Sequence, residues 1–379
     1  MSKQHSGLLD GAAESHADAV PAMRLCVISR SSDRSECALL KSLAARGHSV
    51  TFIAEATDPA LGEIERAGVR VHTADMRHRF DRGSVRSLRA ILRNQHFDLI
   101  YATGSRTLSN ALLATRGSPV PFVTYRGTLS RVSYLNPVNR LVQLNRRVRR
   151  IIVNSAAVRK VLIDCGVQPH RIAVVHKGHA LEWYANAHAI RREDSGIPAN
   201  RFLVGCMANF RPEKGGRTLL EALARIPREL PIHLVLVGDI RDPQIERTVR
   251  RLDLQHRITI AGHRPNALDW IASFDVSVMP SKRESMSRSI VESIAIGIPV
   301  IVTRVGGMPE LVLDGHTGIV VEPDNPAELA AAIVEAWRNP ERMQAYAEAG
   351  RRHLAEHYSV EGYVREMEQA LAAVLRAES

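Results

Sequence analysis

Residues 24–54, RLCVISRSSDRSECALLKSLAARGHSVTFIA, decide the fold. They open with a short apolar run, RLCVISR, and continue into SECALLKSLAARG, whose apolar positions recur at helical spacing and stop at Gly47. A second β-rich run, SVTFIA, closes the unit. Strand, helix, strand is a βαβ unit, and the same alternation extends outward from it. GVRVHT (68–73), FDLIYA (97–102), VPFVTY (120–125), RIIVNS (150–155) and RIAVVH (171–176) read as strands, with helices near 84–94 and 108–115 and a basic helix before RIIVNS. Strands that are apolar nearly throughout and separated by helices specify a parallel sheet covered on both faces. A polar stretch at 183–200 interrupts the rhythm and reads as a linker. FLVGCMANF, IHLVLVGD, RITIAG, DVSVMP, PVIVT and GIVVE then repeat the pattern. The expectation is an α/β chain of two doubly wound, Rossmann-like domains, 23–182 and 201–357, facing a cleft. A flexible leader over 1–22 and a helical end over 358–379, broken near Tyr358, complete it.

Composition narrows the function. The 379 residues are 45% hydrophobic, enough for two cores, and Lys plus Arg exceed Asp plus Glu by 51 to 40, which favours an anionic partner. Aromatic residues are only 4% of the chain and none forms a stacking platform beside the arginines, which argues against nucleic acid. Cys26, Cys37, Cys165 and Cys206 show no paired or metal-ligand spacing, so free thiols are expected. No apolar run approaches the roughly 20 residues that span a bilayer, and the start lacks the order of a secretory signal, which suits a cytosolic protein. The segment 140–150, with Arg140, Arg146, Arg147, Arg149 and Arg150 among apolar residues, reads as an amphipathic basic helix. Such a helix suits the inner face of an anionic membrane, or else packs on the core with a solvated basic face.

Residues 275–299 carry the chemistry. DVSVMPSKRE reads as a strand entering a loop, and SRSIVESIAIG as the following helix, with Glu284 in the loop and Glu292 on the helix. Eight residues at about 1.5 Å each separate these carboxylates by roughly 12 Å, too far to share a proton or a metal. That span matches an extended nucleotide sugar, with one carboxylate at the hexose, the other at the ribose, and the diphosphate over the helix amino terminus. The same residues also fit an S-x-x-E capping box at Ser289 and Glu292, with Glu284 solvated.

The order Pro-Ser-x-x-Glu, a second Glu eight positions on, and GIPVIVTRVGGMPELV (297–312) resembles the retaining glycosyltransferases of family 4. ANFRPEKGGRTLLEAL, LVGD, ITIAGH and DGHTGIVVEPDNPAELAAAI extend the resemblance through the second half, and LAARGHSVTFIA, FDLIYA and IIVNS carry it more thinly through the first. It implies the GT-B fold, with the last helix returning to the first domain. It also implies transfer of a hexose-type sugar from a nucleotide diphosphate sugar, without a metal or other cofactor, to a carbohydrate or lipid-linked acceptor such as a surface-polysaccharide intermediate. By resemblance Glu284 contacts the donor sugar, Ser285, Met286 and Ser287 help hold sugar and phosphate, and Glu292 holds the ribose. Lys214 grips the diphosphate. Its usual arginine partner falls on Asn209, so Arg211 is the expected substitute, with Arg288 a further candidate. The first strand–helix turn lacks the family's frequent Gly-Gly, leaving Ser31, Ser32 or Arg34 to make any contact there, and Arg126 with Gly127 stands where many members place a histidine near the acceptor. A nucleotide-sugar 2-epimerase on the same fold and a non-catalytic nucleotide-sugar or surface binder are the alternatives. No HExxH, HxH or Asp-x-Asp metal pattern and no G-x-S-x-G elbow is present in the sequence.

Overall fold

The computed structural model describes residues 20–93 and 95–377; positions 1–19 of the expected leader lie outside them. The first half contains β1 (Arg24–Ile28), α1 (Arg34–Ala45), β2 (Ser49–Ala54), α2 (Leu61–Arg66), β3 (Arg70–Thr73), α3 (Arg82–Leu92) and β4 (Leu99–Thr103). It continues through α4 (Ser105–Ala114), β5 (Phe122–Arg126), α5 (Pro137–Leu141), β6 (Val148–Val153), α6 (Ala156–Asp164) and β7 (Ile172–Val174). Its seven strands are parallel in the order β3-β2-β1-β4-β5-β6-β7. The second half contains β8 (Phe202–Met207), α7 (Gly216–Arg225), β9 (Ile232–Val237), α8 (Gln244–Arg251), β10 (Ile258–Gly262), α9 (Ala267–Ala272) and β11 (Val276–Met279). It ends in α10 (Arg288–Ile296), β12 (Val300–Thr303), α11 (Met308–Leu311), β13 (Ile319–Val321), α12 (Pro326–Arg338), α13 (Pro340–His357) and α14 (Val360–Arg376). Its six strands are parallel in the order β10-β9-β8-β11-β12-β13.

Strand alternation explains the two-sided cover. In β1, Leu25 and Val27 point into a core shared with Leu39, Leu40 and Leu43 of α1, whereas Cys26 and Ile28 point into one shared with Leu88 of α3 and Leu108 of α4. The first of these cores also takes Tyr363, Val364, Met367 and Leu371 of α14. The last helix therefore packs on the first sheet, while Met343 and Tyr346 of α13 pack into the second. Ser359, whose hydroxyl accepts from Gly362 N at 3.1 Å, starts α14 at the crossing.

In each sheet the strand order reverses between two neighbours, β1 and β4 in the first and β8 and β11 in the second. Crevices at such switch points lie outside the carboxyl ends of the strands. The loops that follow β1, β8 and β11 are therefore the ones placed to meet a ligand, and they carry Asp33, Lys214 and Glu284.

The expected basic helix over 140–150 is not formed. Helix α5 ends at Leu141, Val142 takes φ −112° and ψ −89°, and Val148 onward is strand β6, paired with β5. Strand pairing of the buried Val148, Ile151, Ile152 and Val153 overrides the helical pattern. Arg147 turns inward, where its guanidinium lies 4.9 Å from the Phe122 ring centroid and donates to the carbonyls of Thr115 and Val120 at 3.1 Å. It thereby satisfies backbone acceptors beyond the carboxyl end of α4.

One buried group sits poorly in the first core. Glu36, in the first turn of α1, has one carboxylate oxygen 3.4 Å from the Ser29 hydroxyl, and its other oxygen lacks a partner among the described residues. Burial pushes its carboxyl up to about 7, with Lys177 acting in the opposite direction. A carboxyl raised on folding stabilises the native state below its unfolded pKa, and that contribution is lost as pH rises through the folded value. Between about pH 4.5 and 7, wild-type stability should therefore fall relative to Glu36→Gln, by up to about 1.4 kcal/mol per pH unit. Urea unfolding of both proteins at pH 5 and pH 8 measures this, and an equal difference at the two pH values would show that Glu36 titrates normally.

Candidate active site between the two sheets

The loops after β8 and β11 meet backbone to backbone. Gly215 has φ +70°, and a Cβ there would sit 1.8 Å from the Pro280 carbonyl oxygen, so only glycine allows this approach. Lys282 N donates to Glu213 O at 2.8 Å and ties the loops a second time. The contact brings Lys214 Nζ to 2.5 Å from Glu284 Oε2, both side chains largely shielded from solvent. Gly306 does the same from the other side of Glu284: with φ +54°, it packs where a Cβ would lie 1.7 Å from the Glu284 carbonyl oxygen.

Helix α10 begins at Arg288, with Ser287 as its amino cap but without a side-chain cap bond. The capping box is not formed, because Ser289 donates its hydroxyl to Met207 O at 3.0 Å. Glu292, one turn along, is part-buried, and burial raises its pKa against the pull of Arg288 and Arg34. Its charge in turn contributes to the raised pKa of Tyr184, which burial pushes up to about 12. Ser285 donates to Gly127 O at 2.6 Å, which joins the loop after β11 directly to the first sheet, and Met286 packs on the apolar cluster around α10.

The structure thus brings Lys214, Glu284, Ser285, Ser287, Arg288, Glu292 and Gly127 to the carboxyl ends of both sheets. It does not bring in Asn209 and Arg211 to the same degree. Both are exposed, and the Arg211 guanidinium lies 4.0 Å from Glu213. Arg126 differs more. It is only 8% exposed, and its guanidinium donates to Gln143 Oε1, the Ser130 carbonyl and, at 2.8 Å, the Ser130 hydroxyl. The group holds the 127–130 loop in place and is not presented to the cleft.

Asp33, Lys177 and His179 escaped the sequence reading, which names Arg34 and Ser32 for the first turn. Asp33 accepts from Glu36 N at 3.0 Å as the cap of α1, forms an ion pair with Lys177, and lies 3.8 Å from Arg288 across the cleft. Burial opposes ionisation of Asp33, but Lys177 and Arg288 bring its pKa below the ordinary value. Lys177 also lies 5.4 Å from the Tyr125 ring centroid. Arg34 donates to Trp183 O at 2.6 Å and stands 5.9 Å from the Tyr184 ring centroid. His179, held by burial down to about 4 and therefore neutral, faces the Tyr184 hydroxyl at 2.8 Å. Ser32 is used elsewhere, donating to Asp58 at 2.8 Å. The visible signal for Asp33 was its cap position before a helix; its pairing with Lys177, 144 residues on, left no local trace.

Among the described residues no group of three or more His, Cys, Asp or Glu is placed to hold a metal ion, and no helix is long and apolar enough to cross a membrane. The charge on offer in the cleft is that of Arg34, Lys177, Lys214 and Arg288, together with the amino end of α10.

Comparison with known proteins agrees with this layout. Residues 34–183 match the model for Glycosyltransferase Family 4, and residues 201–339 the model for Glycosyl transferases group 1. The N-acetyl-alpha-D-glucosaminyl L-malate synthase of Bacillus anthracis is 29% identical over 188 residues, 49% of each chain. A D-inositol 3-phosphate glycosyltransferase of Streptomyces bingchenggensis is 31% identical over 225 residues, 55% of this chain and 49% of the relative. The matches thus span about half the length of these curated relatives. Among solved structures, a Rickettsia africae glycosyltransferase superposes with a TM-score of 0.78 at 18% identity, covering 94% of this chain and 99% of its own. Anabaena Alr3699/HepE in complex with UDP-glucose superposes with a TM-score of 0.75 at 23% identity, covering 93% of this chain and all of its own. These likenesses show the GT-B fold. With both halves matched by the family's models and the two sheets arranged as its fold requires, the chain belongs to the family 4, group 1 glycosyltransferases.

Proposed function

We propose that this chain transfers a sugar from a nucleotide diphosphate sugar to an anionic acceptor with retention of configuration. The observation that carries the proposal is the Lys214–Glu284 pair at the amino end of α10, with Glu292 farther along the same helix. In this reading Glu292 takes the ribose hydroxyls and Glu284 the hydroxyls of the hexose. The diphosphate lies over the first-turn amides of α10, next to Lys214, with Arg288 and Arg211 at its edge. As the anomeric carbon–oxygen bond breaks, its electron pair passes to the diphosphate, and fixed cations and oriented amides stabilise the charge that develops there. The acceptor hydroxyl bonds to the anomeric carbon on the same face and gives its proton to the leaving phosphate oxygen. No protein base and no metal are called for in this scheme.

The acceptor side is the first sheet. Arg34 and Lys177 there, with Arg288 opposite, suit a phosphate or carboxylate on the acceptor. The relatives described above are named for L-malate and for D-inositol 3-phosphate, both anionic. Arg126 contributes indirectly, by fixing the loop whose Gly127 carbonyl receives Ser285.

We further propose a lipid-linked acceptor and an anionic membrane surface as its source. The surface in question is 131–141, next to the abandoned basic helix. Leu135 is 94% exposed, Leu141 59% and Tyr134 42%, and the side chains of Arg131 and Arg140 stand exposed beside them. Apolar side chains flanked by arginines fit an anionic lipid interface.

Lys214→Ala should lower transfer by about two to three orders of magnitude with the fold intact. Normal turnover in assays with radiolabelled UDP-, GDP- and ADP-sugars would remove Lys214 from the site, and conversion of the donor sugar without acceptor would point to an epimerase. In calorimetry with the matching nucleoside diphosphate, Glu292→Gln should weaken binding while Glu284→Gln does not; equal losses would disprove the ribose assignment. The double variant Leu135→Asp, Leu141→Asp should lose sedimentation with phosphatidylglycerol vesicles, and undiminished binding would exclude this surface as the membrane contact.

A further inference from the structure

The loop that supports Glu284 continues into a contact with the opposite sheet. Helix α11 is a single turn, and its Glu310 carboxylate accepts from Ala156 N at 2.9 Å and from Ala157 N at 3.2 Å. These are the first two amides of α6, which begins at the carboxyl end of β6 in the first sheet. Ser155, the helix's own cap, accepts from Val158 N at 3.3 Å. Glu310 thus caps a helix 154 residues away, and the charge is matched by the helix dipole. Burial opposes its ionisation, but His176 at 3.4 Å and the two amides hold its pKa below the usual carboxylate value. The Glu310 carbonyl is fixed as well, receiving the Tyr358 hydroxyl at 2.9 Å.

The same few residues touch the donor loop. Gly307 N donates to Ser285 O at 2.9 Å, and its Cα faces Ser155 so closely that a Cβ would lie 2.8 Å from the Ser155 Cβ. Gly306 abuts the Glu284 carbonyl. Residues 306–310 are therefore wedged between α6 of the first sheet and the backbone of Glu284 and Ser285 in the second.

We infer that Glu310 is a positioning residue that couples the meeting of the two domains to the shape of the donor loop. By docking on α6 it fixes the backbone of Gly306 and Gly307, and through them the carbonyls of Glu284 and Ser285. The donor loop then takes its working geometry only where the first domain supplies the α6 amides. This inference rests on the proposed sugar transfer for its purpose, although the linkage itself is independent of that activity.

Amide hydrogen exchange on the full chain tests the linkage without a substrate. In Glu310→Gln the amides of Ala156 and Ala157 should exchange roughly tenfold faster or more, and so should that of Gly307, which the carboxylate does not touch, while Leu236 in β9 stays protected. Acceleration at Ala156 and Ala157 with Gly307 unchanged would reduce Glu310 to a local cap and overturn the coupling. No acceleration at any of the three would show that the carboxylate is not bound. Should Glu310→Gln fail to fold, Ala156→Pro removes one donor from the opposite side at a position where proline suits the first helical turn and Ser155 is already extended. It should loosen Gly307 in the same way, and an unchanged Gly307 would overturn the inference equally. If exchange shows the coupling but no donor is ever turned over, the proposed function fails and the linkage stands.

Discussion

The site depends on the close backbone packing around one ion pair that is removed from most of its water. Lys214 and Glu284 come from loops 70 residues apart, and bringing their charged ends together out of solvent is favourable only where geometry and further hydrogen bonds compensate the desolvation. The compensation here is structural. The two loops approach until backbone touches backbone at Gly215, a third loop closes on Glu284 at Gly306, and together they fix the turn into α10. Once those contacts exist, the amino end of α10, Glu292 and the Ser285 bridge to Gly127 have little freedom left. The site is preorganised because its backbone is crowded, and the pair is held at the mouth of a helix whose dipole favours an anion.

The first sheet answers with a second set of charges. Asp33, in the turn where glycines are often found in this family, cannot approach a ligand as a bare backbone would. It anchors Lys177 and reaches toward Arg288, so that turn speaks to the cleft through side chains. Beneath it Glu36 keeps an unmatched oxygen in the core. A carboxyl so placed makes the core of the first domain sensitive to pH.

What could be seen in the sequence follows from how local each cause is. The strands were legible because burial on both faces makes them apolar throughout, and the helices because their spacing repeats every turn. That Lys214 and Glu284 would be brought together was legible because their loops carry a dense local pattern. Arg147 was misread, since an arginine in a basic run looks solvated until one knows that carbonyls near the end of α4 lack donors, and Arg126, expected at the acceptor, instead donates to the Ser130 carbonyl. The basic segment failed as a helix for a related reason, because Val148 to Val153 had a strand to pair with. Asp33 with Lys177 and Glu310 with α6 depend on partners more than 140 residues away, and no window of sequence contains them.

The return of α14 to the first sheet gives the chain an order of assembly as well as a shape. During synthesis the first sheet emerges with one face of its core uncovered, because Tyr363, Val364, Met367 and Leu371 are made only after the second domain. The second domain has all its strands before then and can complete its own core while the first waits. Vectorial folding is thus inverted, with the domain begun first finished last. The two crossings between domains are also fastened side by side, His179 N donating to Tyr358 O at 2.7 Å. Two adjacent crossings restrain twist of one domain against the other more than a single one would.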